Sequence, residues 1–272
     1  MRNTLLFLTM LFGLQNTAFA TWSVIAIDRS TRRVVMTAAS CVNTTDDAMK
    51  NAIAVVVPGI GVAACQAAAD NTGQNQTLVF SELQKGTDPK QIIEMLSTDP
   101  GFQSRQFAIL DMQGRAAGHS GLGNGIVTQF MSGQAPGTEI FYAVQGNTLR
   151  ASGVVAAGVK AFIETNGSIV DRAMAALEAA DVVGGDSRCA CPPPAADGSR
   201  PQFSCDAKTS HVAYVLFAEP ADTNGNSYNN GKYALYIPVS QNGLKPGESL
   251  NPVRTLRMRY DAWRRTSGRE LR

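Results

Sequence analysis

From Thr21 onward the chain alternates in short apolar runs. Trp22, Val24 and Ala26 fall on one face and Ser23, Ile25 and Ile27 on the other, the period-two pattern of a β-strand. A polar turn at residues 29–32 leads into Val34-Val35-Met36-Thr37-Ala38-Ala39-Ser40, so the two runs read as a hairpin. Both faces are apolar enough to predict cover on both sides. A third strand starts at Ala54-Val55-Val56-Val57, meets Pro58-Gly59 and resumes over residues 60–65; the Pro-Gly step predicts a bulge or kink. Asp88-Pro89 opens a helix with a capping carboxylate and a Pro at its first position; Ile92, Ile93 and Leu96 follow at helical spacing until Pro100-Gly101. A second hairpin covers 106–111 and 115–119, and residues 142–146 form a further strand. Residues 154–165 and 168–180 read as a helical pair split at Asn166-Gly167, with Ser168 capping the second. Late strands cover 211–217 and 233–239, and Asn251-Pro252 opens a basic helix ending near Arg272.

Strands, two helices, strands, two helices and strands follow one another without strict βαβ alternation. That order predicts an α+β domain in which antiparallel sheets stack with helices outside. We place this domain at residues 21–240, with a Cys/Pro-rich insertion at 189–205 and a tail carrying the basic helix at 241–272. Residues 1–20 have the form of a secretory signal: Arg2, an apolar run over 5–14, and Ala18-Phe19-Ala20 before the cut. The run is shorter than the about 20 residues a membrane span needs, so no stable membrane insertion is expected after processing. The destination is the periplasm or the exterior.

The 272 residues carry a formal net charge of +2, which gives no reason to expect a nucleic-acid partner. In an exported chain the five cysteines, Cys41, Cys65, Cys189, Cys191 and Cys205, read as disulfide candidates, with one thiol left over. Cys205 is placed to bridge Cys189 or Cys191 around Pro192-Pro193-Pro194, and Cys41 and Cys65, at the ends of two strands, to pair across the sheet. The Cys-x-Cys spacing with two histidines in the chain fits no standard zinc site, and no metal or organic cofactor is expected. Residues 222–233 begin like a calcium loop but have Ser227 and Tyr233 where such a loop has glycine and an acid.

Cleavage after Ala20 creates a threonine with a free α-amine. One residue then carries a hydroxyl nucleophile and a base of pKa about 7.7–8.0, mounted on a rigid strand. Ser40, at the end of the antiparallel neighbour, falls beside Thr21; an ordinary strand-end serine is the alternative. Gln145-Gly146-Asn147 ends another strand with side-chain amides and a glycine N–H suited to an oxyanion. His119, between glycines, is a candidate base or substrate contact; the alternative is a structural histidine, since an N-terminal threonine already carries its base. Asp186 and Arg188, after Gly184-Gly185, are candidates to orient the amine or bind a substrate carboxylate; the alternative is a helix cap followed by a surface ion pair.

Several of these segments, in order, resemble the domain of unknown function 1028 family, regarded as a predicted N-terminal-nucleophile (Ntn) hydrolase family. They are Thr21-Trp22-Ser23-Val24-Ile25-Ala26 with Asp28, Ala39-Ser40, Val57-Pro58 to Gly61-Val62, Gln66-Ala67 with Asn71, Gly118-His119-Ser120-Gly121, Val144-Gln145-Gly146-Asn147, and Gly184-Gly185-Asp186-Ser187-Arg188. The resemblance runs to about Phe217 and implies a four-layer αββα sandwich with Thr21 at the start of a central strand. It further implies amide hydrolysis through an acyl-enzyme. Our candidates for that site are Thr21, Ser40 and Asn147 as catalytic residues and Gln66, His119, Gln145, Asp186 and Arg188 as substrate-binding residues. The insertion after Arg188 departs from the family pattern. The expected partner is a small amide or peptide-like substrate, and a homo-oligomer is compatible with this reading. The competing expectation is an exported binding protein that keeps the fold without catalysis.

Overall fold

The structure is a computed structural model describing residues 21–189 and 208–267. The expected signal, Cys191, Cys205 and the bridge expected to Cys205 lie outside the described residues. The first hairpin forms as the alternation predicts. Strands β1 (Thr21–Asp28) and β2 (Arg33–Ser40) pair antiparallel, from Thr21 opposite Ser40 to Asp28 opposite Arg33. The Asp28 carboxylate holds the turn, accepting from the Ser30 N–H at 2.9 Å and the Thr31 hydroxyl at 2.7 Å.

A short helix, α1 (Ala48–Ile53), leads into β3 (Ala54–Val57) and β4 (Gly61–Ala67). Pro58-Gly59 does not kink one strand: it reverses the chain, and β3 and β4 pair antiparallel. Gly59 has φ +70° and the Ile60 N–H donates to the Val57 carbonyl at 2.9 Å, so Pro and Gly take the central positions of a type II turn. Next come α2 (Gln74–Lys85), α3 (Pro89–Leu96), β5 (Arg105–Asp111), β6 (Ala116–Ser120), β7 (Gln129–Gln134) and β8 (Ile140–Asn147). The chain continues with α4 (Gly153–Glu164), α5 (Ile169–Val182), β9 (Val212–Ala218), β10 (Leu235–Ser240) and α6 (Pro252–Ser267). The caps read from sequence are in place. Asp88 accepts from the Lys90 N–H at 2.9 Å, and Ser168 forms a reciprocal capping box with Asp171.

The described residues thus form a mixed α+β fold with two antiparallel sheets, ordered β10-β9-β2-β1-β8-β7 and β3-β4-β5-β6. Period two splits β1 between two cores. Trp22, Val24 and Ala26 pack with Phe162, Met174, Leu177 and Tyr260 of α4, α5 and α6. Ile25 and Ile27 pack with Val56, Val62, Ala108 and Leu110 of the other sheet. A third core joins that sheet's outer face, through Val55, Ala63, Phe107 and Ile109, to Val79, Leu83 and Ile92 of α2 and α3. Both faces of the hairpin are covered, as its composition predicts.

The basic helix α6 is docked rather than solvated. Val253, Leu256 and Tyr260 are buried in the first core, while Arg257 pairs with Glu178 at 2.6 Å, Arg259 with Glu248 at 2.7 Å and Arg264 with Asp171 at 2.8 Å.

The expected Cys41–Cys65 bridge is corrected. Cys41 bonds Cys189 (Cα–Cα 5.7 Å) and Cys65 is a buried free thiol. The reason is register: Cys65 lies on the outward face of β4, in the core under α2 and α3, whereas Cys41 follows the end of β2 in the other sheet. This engages Cys189, so the Cys189–Cys205 alternative does not form, and the Cys191–Cys205 alternative lies outside the described residues. A disulfide of this kind is consistent with an exported protein.

Two predictions follow from these contacts. Replacing both Cys41 and Cys189 by serine opens a loop with a sequence separation of 148 and lowers stability by about 2–5 kcal/mol, read from urea unfolding. The hydrogen bond from Arg259 holds the Glu248 carboxyl at about 2, below its usual 4.5. A depressed carboxylate pKa adds stability that is complete above 4.5 and lost as pH falls through about 2. The stability of Glu248→Gln should therefore depend less steeply on pH across that window than the parent's.

Candidate active site

The inner face of the six-stranded sheet changes character along its length. Across β2, β1 and β8 it runs Val34, Ile27 and Phe141, then Met36, Ile25 and Ala143, then Ala38, Ser23 and Gln145, and ends at Ser40, Thr21 and Asn147. The facing sheet makes the same change, from Val62 and Leu110 through Ala64 and Ala108 to Gln66, Gln106 and Ser120. An apolar core thus becomes polar at the end where β1 begins. Thr21, Ser40, Gln66, Gln106, Gln145 and Asn147 are all at most 2% exposed.

Buried amides must be bonded, and these bond mainly to one another and to backbone. The Ser23 hydroxyl donates to Gln66 Oε1 at 2.6 Å. Gln66 Nε2 donates to the Thr21 carbonyl at 3.0 Å, to Gln106 Oε1 at 2.9 Å and, at 3.4 Å, to Asn147 Oδ1. Gln106 Nε2 donates to the Gly146 carbonyl at 3.0 Å, and Gln145 Nε2 to the Ala64 carbonyl at 3.2 Å. Every bond from Gln66 to Thr21, from Gln106 to Gly146 and from Gln145 to Ala64 crosses between sheets, so the first residue of β1 is fixed from its neighbours in sheet and layer alike.

Thr21 and Ser40 form part of the wall of a cavity of about 210 Å³. Its remaining wall comes from α1, the segment after β2, and the end of β4 with the residues that follow it: Met49, Ile53 and Ala67 are buried, Val42, Thr44, Ala48, Ala52 and Ala69 partly exposed, and Asn71 exposed. Sequence reading missed α1 and Gln106. The signal for Gln106 was available, since it alternates in phase with Ala108 and Leu110.

The other sequence candidates divide. Gln145 lies one inner-face step from Asn147 and belongs to the amide cluster. Asp186 is fully buried and receives the Cys41 N–H at 2.8 Å, one residue beyond Ser40; its other oxygen receives the Arg188 N–H at 2.9 Å. Arg188 also folds its guanidinium onto Asp186 at 2.8 Å, and the Cys41–Cys189 bridge fastens this loop to the end of β2. Gly184 and Gly185 end α5 with φ +116° and +49°, and a side chain at Gly185 would collide with the Trp22 ring at 2.7 Å. The loop thus reaches the end of the sheet where Thr21 sits because a glycine lets it pass over Trp22. His119 is not brought to the cluster. It pairs with Phe107 on the outward face, its ring stacks on Phe102 at 3.6 Å, and burial pushes its pKa down despite a bond to the Phe102 carbonyl. Among the described residues no three His, Cys, Asp or Glu side chains gather as a metal ion would require. No helix among them is long and apolar enough to cross a membrane.

No curated protein matches the chain. Among solved structures, the crystal structure of protein SPO2555 from Silicibacter pomeroyi, described as a DUF1028 protein, superposes with a TM-score of 0.64 at 21% identity, covering 90% of this chain and 89% of that one. At that identity the likeness is one of fold. A family model described as "Family of unknown function (DUF1028)" matches residues 21–192, and the chain belongs to that family.

Proposed function

We propose that this chain is an exported Ntn-type amide hydrolase with the αββα arrangement of that superfamily, activated when the leader is cut after Ala20. The observation that carries this reading is the position of Thr21. It is the first residue of a central strand, its main chain is held by Gln66, and it lines a cavity at the only polar end of the inter-sheet core among the described residues. The family match also starts at this residue.

In the proposed reaction Thr21 Oγ attacks the carbonyl carbon of a small amide while its α-amine accepts the hydroxyl proton. An amine of pKa about 7.7–8.0 is partly neutral at physiological pH and can do so. The C–N bond breaks, the proton passes to the leaving amine, and an ester to Oγ remains. Water, deprotonated by the same amine, then adds to the ester, and the carboxylic acid leaves as Oγ regains its proton. The net change is amide plus water to acid plus amine. The Asn147 amide, opposite Thr21 in the ladder, is the proposed oxyanion donor, and Ser40 the hydroxyl that orients the nucleophile. Gln66, Gln145 and Asp186 are positioning residues in this reading, Arg188 orients Asp186, and His119 has no part.

Exported protein should begin at Thr21 on N-terminal sequencing. In a small-amide screen, Thr21→Ala should lose activity by about 10⁴-fold or more while its circular dichroism is unchanged. Undiminished turnover by that variant overturns the reading in favour of a binding protein. Gln66→Ala should lower kcat by about 10²-fold with a smaller change in KM, because it releases the Thr21 main chain. It should also cost about 1–3 kcal/mol of stability, since buried partners in Ser23 and Gln106 lose their bonds.

A further inference from the structure

The cavity beside Thr21 carries information about what fits it. Its floor is Thr21, Ser40, Met49, Ile53 and Ala67, all buried, and none of the residues lining it is charged. The segments that supply the wall do contain charges, but none of these side chains lines the cavity. Lys50 sends Nζ to the Asn229 carbonyl at 2.9 Å and over the Tyr236 ring. Asp70 accepts from the Thr72 and Asn75 N–H groups and so starts α2. Asp46 faces Gly243 and the Arg259 charge, and Asp47 lies at the Tyr236 hydroxyl. Apart from the Thr21 α-amine that the proposed reaction uses, a charged group entering this space would lose water and meet no charged side chain in the wall.

The volume sets the size. About 210 Å³ is below the roughly 300–1,000 Å³ of clefts that take drug-sized ligands. At about 30 Å³ per water-sized group it holds on the order of seven such groups. Four alanines in the wall, Ala48, Ala52, Ala67 and Ala69, make this room, and a larger side chain at Ala52 or Ala69 would take it up.

We infer that the cavity receives an uncharged aliphatic acyl group of about four to six carbons, so that the preferred substrates are amides of short-chain fatty acids rather than of acidic or basic amino acids. This rests on the proposed function in one respect: the acyl group is the part that stays on Oγ between the two half-reactions, so the walled space next to Thr21 holds it.

The test separates binding from turnover. Processed Thr21→Ala protein is titrated, by ligand-observed NMR, with hexanamide, its ω-carboxylate analogue adipic acid monoamide, and its ω-ammonium analogue 6-aminohexanamide. Hexanamide should bind at least about 10-fold more tightly than either charged analogue. Adding Ala52→Leu, or Ala69→Leu should the first variant not fold, should weaken hexanamide by about 10-fold or more. In active protein the same change should shift kcat/KM from hexanoyl toward acetyl p-nitroanilide. Equal or tighter binding of a charged analogue, no binding of any of the three, or hexanamide binding unchanged by both leucine variants overturns the inference. Hexanamide binding without turnover by the wild type keeps the aliphatic site and removes the nucleophile. Turnover with a preference for charged acyl groups does the reverse.

Discussion

Gln66 joins the two sheets at the place where neither offers the other an apolar side chain. Elsewhere between them, Ile25, Val62 and Leu110 need only be close to be stable. At the end where β1 begins, contact alone is not enough, because an amide taken from water must recover its hydrogen bonds in a fixed geometry. Gln66 does so by accepting from Ser23 and donating to the Thr21 carbonyl and to Gln106. A directional network therefore replaces a non-directional one at the residue whose position matters for the proposed chemistry. The spacing of the sheets, the register of β1 against β8 and the location of the Thr21 main chain all depend on it.

The supporting loop obeys the same constraint. Asp186 is fully buried beside Arg188 and the Cys41 N–H. A buried carboxylate needs partners of this kind, and removal of either would leave charge without compensation. The cavity beyond Thr21 is built on a different plan, mostly alanine, valine, methionine and isoleucine, with Thr44 and Asn71 at its edge and no charged residue lining it. A polar frame that positions one residue thus abuts a largely apolar cavity.

What was legible in the sequence was local. The pairing of Thr21 with Ser40 follows from a hairpin whose turn leaves little freedom of register, and the placement of Asn147 follows from its strand end. What was not legible needs two sheets to meet. Gln66 reaches Thr21 across layers, and no periodicity along one strand encodes that contact. Helix α1 is six residues long and buries Lys50, which breaks the apolar pattern a helix would show. Strand β7 is half exposed and reads Gln-Phe-Met-Ser-Gly-Gln, with little alternation to detect. Pro58-Gly59 was misread because period two continues on both sides of a tight turn just as it does through a kink. His119 looked functional for its flanking glycines, but one of them, Gly118, serves packing: a Cβ there would strike the Phe130 ring at 2.5 Å.

The free thiol of Cys65 bears on how the correct bridge is chosen. Cys65 is nearer to Cys41 in sequence than Cys189 is, yet it is Cys189 that Cys41 bonds. Once β4 packs under α2 and α3, burial raises the Cys65 thiol to about 12 and leaves almost no thiolate to attack a neighbouring sulfur. In the folded protein the smaller sheet thereby keeps Cys65 out of exchange with the Cys41–Cys189 bridge.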